Sequence, residues 1–185
     1  MKFLFASYLG MDQQDELSAP ELPLVEEVDS AILNKLGLVG VKSRILSENS
    51  NLLDISFVGA RNSSKEDRAI QFGLLSEIAD NIYKLDVNNS GLIAGDLAVI
   101  GQMKNLNFLR LERNQISDKG LEFLVDLARL EYLNVYGNPL TDNSIDAIKK
   151  LQSLKKIFLW QTEITKEGVK EIQSAFPNAA IIFEF

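Results

Sequence analysis

Residues 132–165 read YLNVYGNPLTDNSIDAIKKLQSLKKIFLWQTEIT, and this stretch contains one pattern twice. The segment that begins at Leu133 (LNVYGN) returns 24 residues later as the segment that begins at Ile157 (IFLWQT). Apolar side chains occupy the same positions in both copies, and large aromatic side chains stand beside them. A period of this length predicts an array of stacked units, each too small to bury its own apolar face.

The same spacing of 24 residues runs through most of the chain as apolar columns. In each unit, apolar residues first alternate with other residues, which predicts a short strand with one buried face. Apolar residues then recur at every third position, as Leu121, Leu124 and Leu127 do, which predicts one face of a helix. Ser117, Thr141 and Thr165 stand between the two patterns, where a hydroxyl can cap a helix. The columns are Ile82, Leu106, Leu130 and Leu154; Leu85, Leu109, Leu133, Ile157 and Ile181; Val87, Leu111, Val135, Leu159 and Phe183; and Leu97, Leu121, Ile145 and Val169.

A strand, a turn and a helix in every unit resemble the leucine-rich repeat family, over about residues 51–185. The helix-like segment NQISDKGLEFLVDL, residues 114–127, is similar to the ribonuclease-inhibitor-like and GALA-type subclasses. The resemblance implies an α/β right-handed solenoid, with a parallel concave sheet inside and helices outside. It also implies a structural turn ladder, in which Asn side chains bond the turn backbone. The ladder positions are Ser90, Asn114, Asn138 and Thr162.

The ends of the chain differ from the repeats, as caps should. We expect residues 1–50 to form an N-terminal tail and linker followed by a capping helix and strand. Residues 51–185 are expected to form about five units of 24–30 residues and a C-terminal capping strand, with about six strands in the sheet. The first unit has six extra residues, which the polar stretch at 59–67 can hold. The apolar segment 3–10 is interpreted as a short amphipathic helix that packs on the domain, or as the trimmed end of a preceding domain, rather than as a signal peptide.

Composition excludes several kinds of chemistry. The chain has 185 residues, no cysteine and no histidine, so disulfides, thiolate metal sites, Ser-His-Asp catalysis and HExxH zinc sites are impossible. Its net charge of −7 argues against nucleic acid as a partner, and no apolar run is long enough to insert into a membrane. Asp86, Asn88 and Ser90 imitate the start of a calcium loop, but position twelve is Leu97 where a glutamate is needed.

No residue is predicted to be catalytic, and no metal or cofactor is expected. Glu122, Asp126 and Glu131 are the nearest approach to an acid/base group, but they fall on solvated outer positions without a pocket. We therefore predict that the protein is not an enzyme.

The candidate binding residues lie between the apolar columns of the strands, on the concave face. Large aromatic side chains with polar tips on a rigid sheet are typical of interface hot spots. Two structural readings compete: the N-terminal tail covers these side chains, or they reflect only the strand preference of aromatic residues. The predicted binding residues are Phe108, Arg110, Tyr132, Asn134, Tyr136, Lys156, Phe158 and Trp160.

The segments at 22–60 and 154–181 are also similar to the C-terminal repeat domain of bacterial envelope proteins that contain a c-type cytochrome. That resemblance implies the cell envelope or periplasm, whereas the residues alone leave the cytoplasm equally open. The function we expect is a non-enzymatic scaffold that binds a protein or peptide. The alternatives are a binder of carbohydrate or another small ligand, and a structural module of a larger envelope assembly.

Overall fold

The computed structural model describes residues 22–47, 50–61 and 63–183. They form one sheet of seven strands, whose spatial order follows the order of the chain. Each strand from the third onward pairs in parallel with the one before it. The segment 3–10 and most of the predicted tail lie outside the described residues.

Helical segments connect successive parallel strands and pack on one face of the sheet. The strands are β1 (Lys42–Ile45), β2 (Leu53–Ser56), β3 (Ile82–Asp86), β4 (Phe108–Arg110), β5 (Tyr132–Asn134), β6 (Lys156–Phe158) and β7 (Ala180–Ile182). The α-helices are α1 (Ser30–Leu38), α2 (Lys65–Glu77), α3 (Ala94–Ile100), α4 (Asp118–Leu121), α5 (Ile145–Lys150) and α6 (Lys166–Ala175). Turns of 3₁₀-helix lie at Ala79–Asn81, Glu122–Leu124 and Asp142–Ser144.

The predicted columns form the core. Leu85, Leu109, Leu133, Ile157 and Ile181 are paired in register across five strands, and the first four are at most 1% exposed. Ile181 is only partly buried because β7 is the last strand of the described sheet. The predicted stacking of one apolar column from unit to unit is confirmed.

The N-terminal cap differs from the expectation in one respect. Asp29 caps α1, and its carboxylate accepts a hydrogen bond from the N–H of Ala31. The chain then enters β1, which pairs with β2 antiparallel rather than parallel. The described sheet therefore has six parallel strands, as expected, and the capping strand β1 as an antiparallel seventh at its edge.

The outer wall is less helical than the sequence pattern suggests. Among the described helices, α2 is the longest, with 13 residues. It belongs to the unit with six extra residues and continues beyond the polar stretch at 59–67, so the extra residues lengthen this helix. In the 24-residue units, α4 has four residues and α5 has six, and each adjoins a 3₁₀ turn. The apolar spacing of three suits either kind of helix, so the sequence alone does not separate them.

Two buried asparagine side chains connect the turns of neighbouring units. The Oδ1 of Asn138 accepts from the N–H groups of Asn114 and Ile116, both at 3.0 Å. Its Nδ2 donates to the carbonyls of Leu111 and Val135 at 3.0 and 2.9 Å. Asn138 therefore bonds buried backbone groups, which water cannot reach, both in its own unit and in the unit before it.

Asn114 repeats this arrangement one unit earlier. Its Oδ1 accepts from the N–H of Ser90 at 2.9 Å, and its Nδ2 donates to the carbonyl of Val87 at 2.8 Å. The hydroxyls of Ser90 and Thr162 instead donate within their own units, to the carbonyls of Asn88 and Leu159. The bonds from side chain to neighbouring backbone are thus concentrated in the two central turns.

A second ladder joins the helix starts, and the sequence pattern did not predict it. The carboxylate of Asp118 accepts from both the backbone N–H and the hydroxyl of Thr141, at 2.8 and 2.7 Å. Asp142 makes the same pair of bonds to Thr165, at 2.9 and 2.8 Å. A Cβ at Gly168 would lie 2.3 Å from Asp142 Oδ1, so this close approach requires glycine there.

We predict that Asn138→Ala destabilises the fold strongly. The change leaves the buried N–H groups of Asn114 and Ile116 without a partner, and each such group costs about 1–3 kcal/mol. The carbonyls of Leu111 and Val135 keep a bond from Asn114 Nδ2 and from the Asn138 N–H. Urea unfolding monitored by circular dichroism measures the loss. Asn143→Ala, an exposed position a few residues away, is the control and should stay within about 0.5 kcal/mol of the wild type. Equal unfolding free energies for the two variants would contradict the role assigned to Asn138.

Candidate functional site

The face of the sheet opposite the helices, here called the open face, carries the predicted binding side chains. Along β4 and β5 the burial alternates, with Leu109 and Leu133 buried and the residues on either side half-exposed. The open face is therefore the side of these strands that solvent partly reaches. Phe108, Arg110, Tyr132, Asn134, Tyr136, Lys156, Phe158 and Trp160 all fall on it, half-buried or exposed.

Five aromatic side chains of this face, here called the aromatic patch, form one group of three rings and one stacked pair. The rings of Phe108 and Tyr132 stack with their centroids 4.0 Å apart, and Tyr132 meets Phe158 at 5.4 Å. Tyr136 stacks on Trp160 at 5.1 Å. Trp160 remains 43% exposed, so the patch ends in a large ring that solvent reaches.

The patch borders a groove of about 360 Å³ that extends to the last strand. Its walls are mostly apolar, and Ile182 at the C-terminal side is 41% exposed. The lining residues are Asn134, Tyr136, Phe158, Trp160, Ile182 and Phe183.

The polar members of the predicted set are bound within the protein. The guanidinium of Arg110 lies 2.9 Å from the carboxylate of Asp86 and 2.8 Å from that of Glu112. Asn134 donates to the same Glu112 oxygen at 2.8 Å. Burial opposes the charge of Arg110, but the hydrogen bond and the negative charges of Glu112 and Asp86 outweigh it and raise the pKa. The polar groups of Arg110 and Asn134 therefore bind other side chains of the open face and are not left over for a ligand.

Tyr132 lies beside this network, and its phenol is held neutral. Burial, followed by the charge of Glu112, raises its pKa above the ordinary value. The patch thus presents Tyr132 as a hydrogen-bonding hydroxyl on an apolar ring.

Lys84 also lies on the open face, yet it is only 2% exposed. It pairs in register with Asp54 of β2, and its Nζ lies 5.6 Å from the centre of the Phe108 ring. Burial lowers the pKa of Lys84 to about 8, although the charge of Asp54 opposes the shift. Lys84 is therefore closed to solvent, whereas Asp54, Ser56 and Asp86 of the same two strands stay half-buried.

Arg113 belongs to the site, although sequence reasoning missed it. It lies in the turn after β4 with a positive φ of 55°. Its guanidinium carbon lies 5.0 Å from the centre of the Tyr136 ring, and its Nη2 donates to the Tyr136 hydroxyl at 2.7 Å. A Cβ at Gly137 would meet the Arg113 side chain at 3.1 Å, so glycine in the next turn leaves room for it. The glycine at position 137 is the one sequence signal that could have indicated the contact of Arg113 with Tyr136.

The described part of the N-terminal tail runs along the strand starts and not across the aromatic patch. Asn51 donates to the carbonyl of Val25 at 3.0 Å, and Asn81 donates to that of Glu26 at 2.7 Å. Leu22 and Pro23 line a cleft of about 130 Å³ at this edge. Residues before Leu22, which include most of the tail expected to compete for the open face, lie outside the described residues.

Comparison with known families agrees with this geometry. Residues 102–125 match the family model described as Leucine Rich repeat, and residues 129–151 match a second one described as Leucine Rich Repeat. The fold is a leucine-rich repeat solenoid. The two matched segments span β4 and β5, the strands that contribute Phe108 and Tyr132 to the aromatic patch. No curated protein matches the chain.

The comparisons leave the finer resemblances as predictions. They support the leucine-rich repeat family without distinguishing its subclasses. The similarity to repeat domains of cytochrome-containing envelope proteins likewise stays a prediction. Within residues 22–47, 50–61 and 63–183, no helix is both long and apolar enough to cross a membrane.

We expect Trp160→Ala to cost little stability. The side chain is exposed and stacks on one ring, a contact worth about 0.5–1.5 kcal/mol. Trp160 is the only tryptophan of the solenoid, so wild-type fluorescence reports on it alone. Acrylamide should quench that fluorescence nearly as well in the native state as in urea. An unquenchable native signal, or a variant that does not fold, would place Trp160 in the core.

Lys84 should make stability depend on pH. Its folded pKa of about 8 lies below the ordinary 10.5, so between these values the unfolded chain binds more protons. The free energy of unfolding contributed by Lys84 therefore rises with pH through this window. Relative to Lys84→Met, the wild type should gain stability between pH about 7.5 and about 9.5, measured by urea unfolding. Lys119→Met, at an exposed position, is the control and should run parallel to the wild type.

Proposed function

We propose that the solenoid is a non-enzymatic scaffold that binds a protein or peptide through the aromatic patch of its open face. Leucine-rich repeats are generally protein-interaction modules, and two segments of this chain match that family. The observation that carries the proposal is the packing of five aromatic rings, as a group of three and a stacked pair, on the face that the helices leave uncovered.

The patch has the physical properties of an interaction hot spot. Its rings rest on strands whose register is fixed by a buried column, so little side-chain freedom remains to be lost on binding. Tyr136 and Trp160 combine a large apolar area with a polar tip, and such residues dominate binding energies at protein interfaces. Trp160 and the groove beside it offer the exposed apolar surface that a partner can bury.

A protein or peptide fits this surface better than a carbohydrate does. A sugar stacks on an open ring face, whereas Arg113 approaches the Tyr136 ring from the side of β4 and Trp160 from the side of β6. The Phe108 ring is likewise stacked against Tyr132. Trp160 is thus the main ring that a ligand can still contact. This arrangement suits a side chain of a protein or peptide that enters the groove beside Trp160.

The charges of the open face support a binding role over a catalytic one. Asp86 and Glu112 share the guanidinium of Arg110, and Asn134 donates a further hydrogen bond to Glu112. These carboxylates are structural partners of the strands. A general acid or base must lie within hydrogen-bond reach of a substrate, whereas these carboxylates are paired with Arg110 within the sheet.

We predict that Trp160→Ala removes most binding to the partner. Aromatic anchors at an interface centre commonly contribute about 2 kcal/mol, which corresponds to roughly 30-fold in Kd. The experiment captures partners on immobilised wild type and on Trp160→Ala, identifies proteins that only the wild type retains, and titrates them by calorimetry.

Glu122→Ala, at an exposed position on the outer wall, is the matched control and should bind like the wild type. A partner that binds Trp160→Ala as tightly as the wild type, but loses affinity for Glu122→Ala, would move the function to the outer wall. A folded Trp160→Ala protein with an unchanged partner set would indicate a structural module instead.

A further inference from the structure

The charge around the aromatic patch is distributed unevenly, in a chain whose net charge is −7. Arg113 and Lys156 are both exposed and both lie over rings of the patch. The Nζ of Lys156 lies 5.1 Å from the centre of the Phe158 ring. Among the described residues, the ion pairs within 4.0 Å include neither of these two cations.

The acidic groups nearest in the sheet do not offset this positive charge. Asp86 and Glu112 are committed to Arg110, and Glu131 pairs with Lys155 at 3.0 Å at the start of the strands. The accessible part of the open face therefore combines an apolar groove with two cations that have no carboxylate partner in the described chain.

The two cations bracket the groove along the strand direction. Lys156 begins β6, whereas Arg113 lies in the turn after β4, at the level of Gly137 and Gln161 in the 24-residue pattern. Five residue steps of about 3.3 Å along the strands and two strand spacings of about 4.8 Å from β4 to β6 separate the two cations by about 19 Å. An extended peptide covers this distance in about six residues, so carboxylates about six residues apart can reach one cation each.

We propose that the partner presents an acidic, extended segment with an apolar anchor. The anchor enters the groove beside Trp160, and carboxylates on either side of it pair with Arg113 and Lys156. This inference rests on the proposed function, since it names the chemistry of the partner that the aromatic patch binds. A basic or neutral segment would leave both cations unpaired at the interface, and complementary charge is what selects partners and speeds their encounter.

The test is a selection of displayed random twelve-residue peptides on the full chain. Selected peptides should carry a net negative charge and an aromatic or branched aliphatic residue, and lose binding to Trp160→Ala. The double variant Arg113→Gln/Lys156→Gln should weaken them by about three- to tenfold, since two exposed ion pairs are lost. Raising the salt concentration should weaken wild-type binding and have less effect on the double variant.

The double variant is expected to fold, since Gln161 already occupies the position equivalent to Arg113 with a positive φ of 53°. Its thermal melting curve checks this. Lys119→Gln/Lys150→Gln is the matched control, because it removes the same charge from exposed positions of α4 and α5 on the outer wall. This control should bind the selected peptides like the wild type.

The outcomes separate the two proposals. Peptides that require Trp160 but are neutral or basic, or that bind the double variant unchanged, overturn the acidic segment and leave the proposed function standing. Binders that ignore Trp160→Ala, or no enrichment at all, overturn both. A concentration-dependent dimer that Trp160→Ala abolishes, seen by light scattering, assigns the face to a second copy of the chain and overturns the separate partner.

Discussion

The turns that follow the strands are buried on both sides by neighbouring units, and their backbone groups must find partners without water. An unsatisfied buried N–H or C=O costs about 1–3 kcal/mol, so a stacked array with several such turns cannot leave them unpaired. Asn114 and Asn138 solve this problem, because one amide side chain both accepts from and donates to the backbone. The parallel strands can stack at a constant register only because these turns are satisfied.

The open face depends on that constant register. Leu109, Leu133 and Ile157 are held in one buried column, and the residues beside them therefore project from the other face at matching heights. Aromatic rings that are 24 residues apart in the chain become stacked neighbours, as Tyr136 and Trp160 are. The same geometry lets Arg110 reach Asp86 on the preceding strand. Contacts on the open face are thus a direct product of the repeat length.

The sequence predicts the apolar columns that repeat in every unit and misses most of the polar contacts between units. Leu85, Leu109 and Leu133 share a column because burial selects apolar side chains at every turn of the array, and this leaves a periodic signal. The burial of Lys84 depends on Asp54 beside it and on Phe108 in the next strand, so no pattern within a unit reveals it. The antiparallel cap, the 3₁₀ turns of the outer wall and the contact of Arg113 with Tyr136 likewise depend on particular neighbours.

The ladder from Asp118 to Thr141 and from Asp142 to Thr165 has a consequence for how such a protein can change its size. The unit of Thr141 and Asp142 offers a carboxylate to the next unit and a threonine to the one before, so its two junctions have the same contacts. A duplicated block of 24 residues can be inserted at such a junction without creating a new kind of contact. Each insertion would widen the open face by about 4.8 Å, the spacing of neighbouring strands. The width of the open face can therefore increase by duplication, independently of the side chains that the face carries.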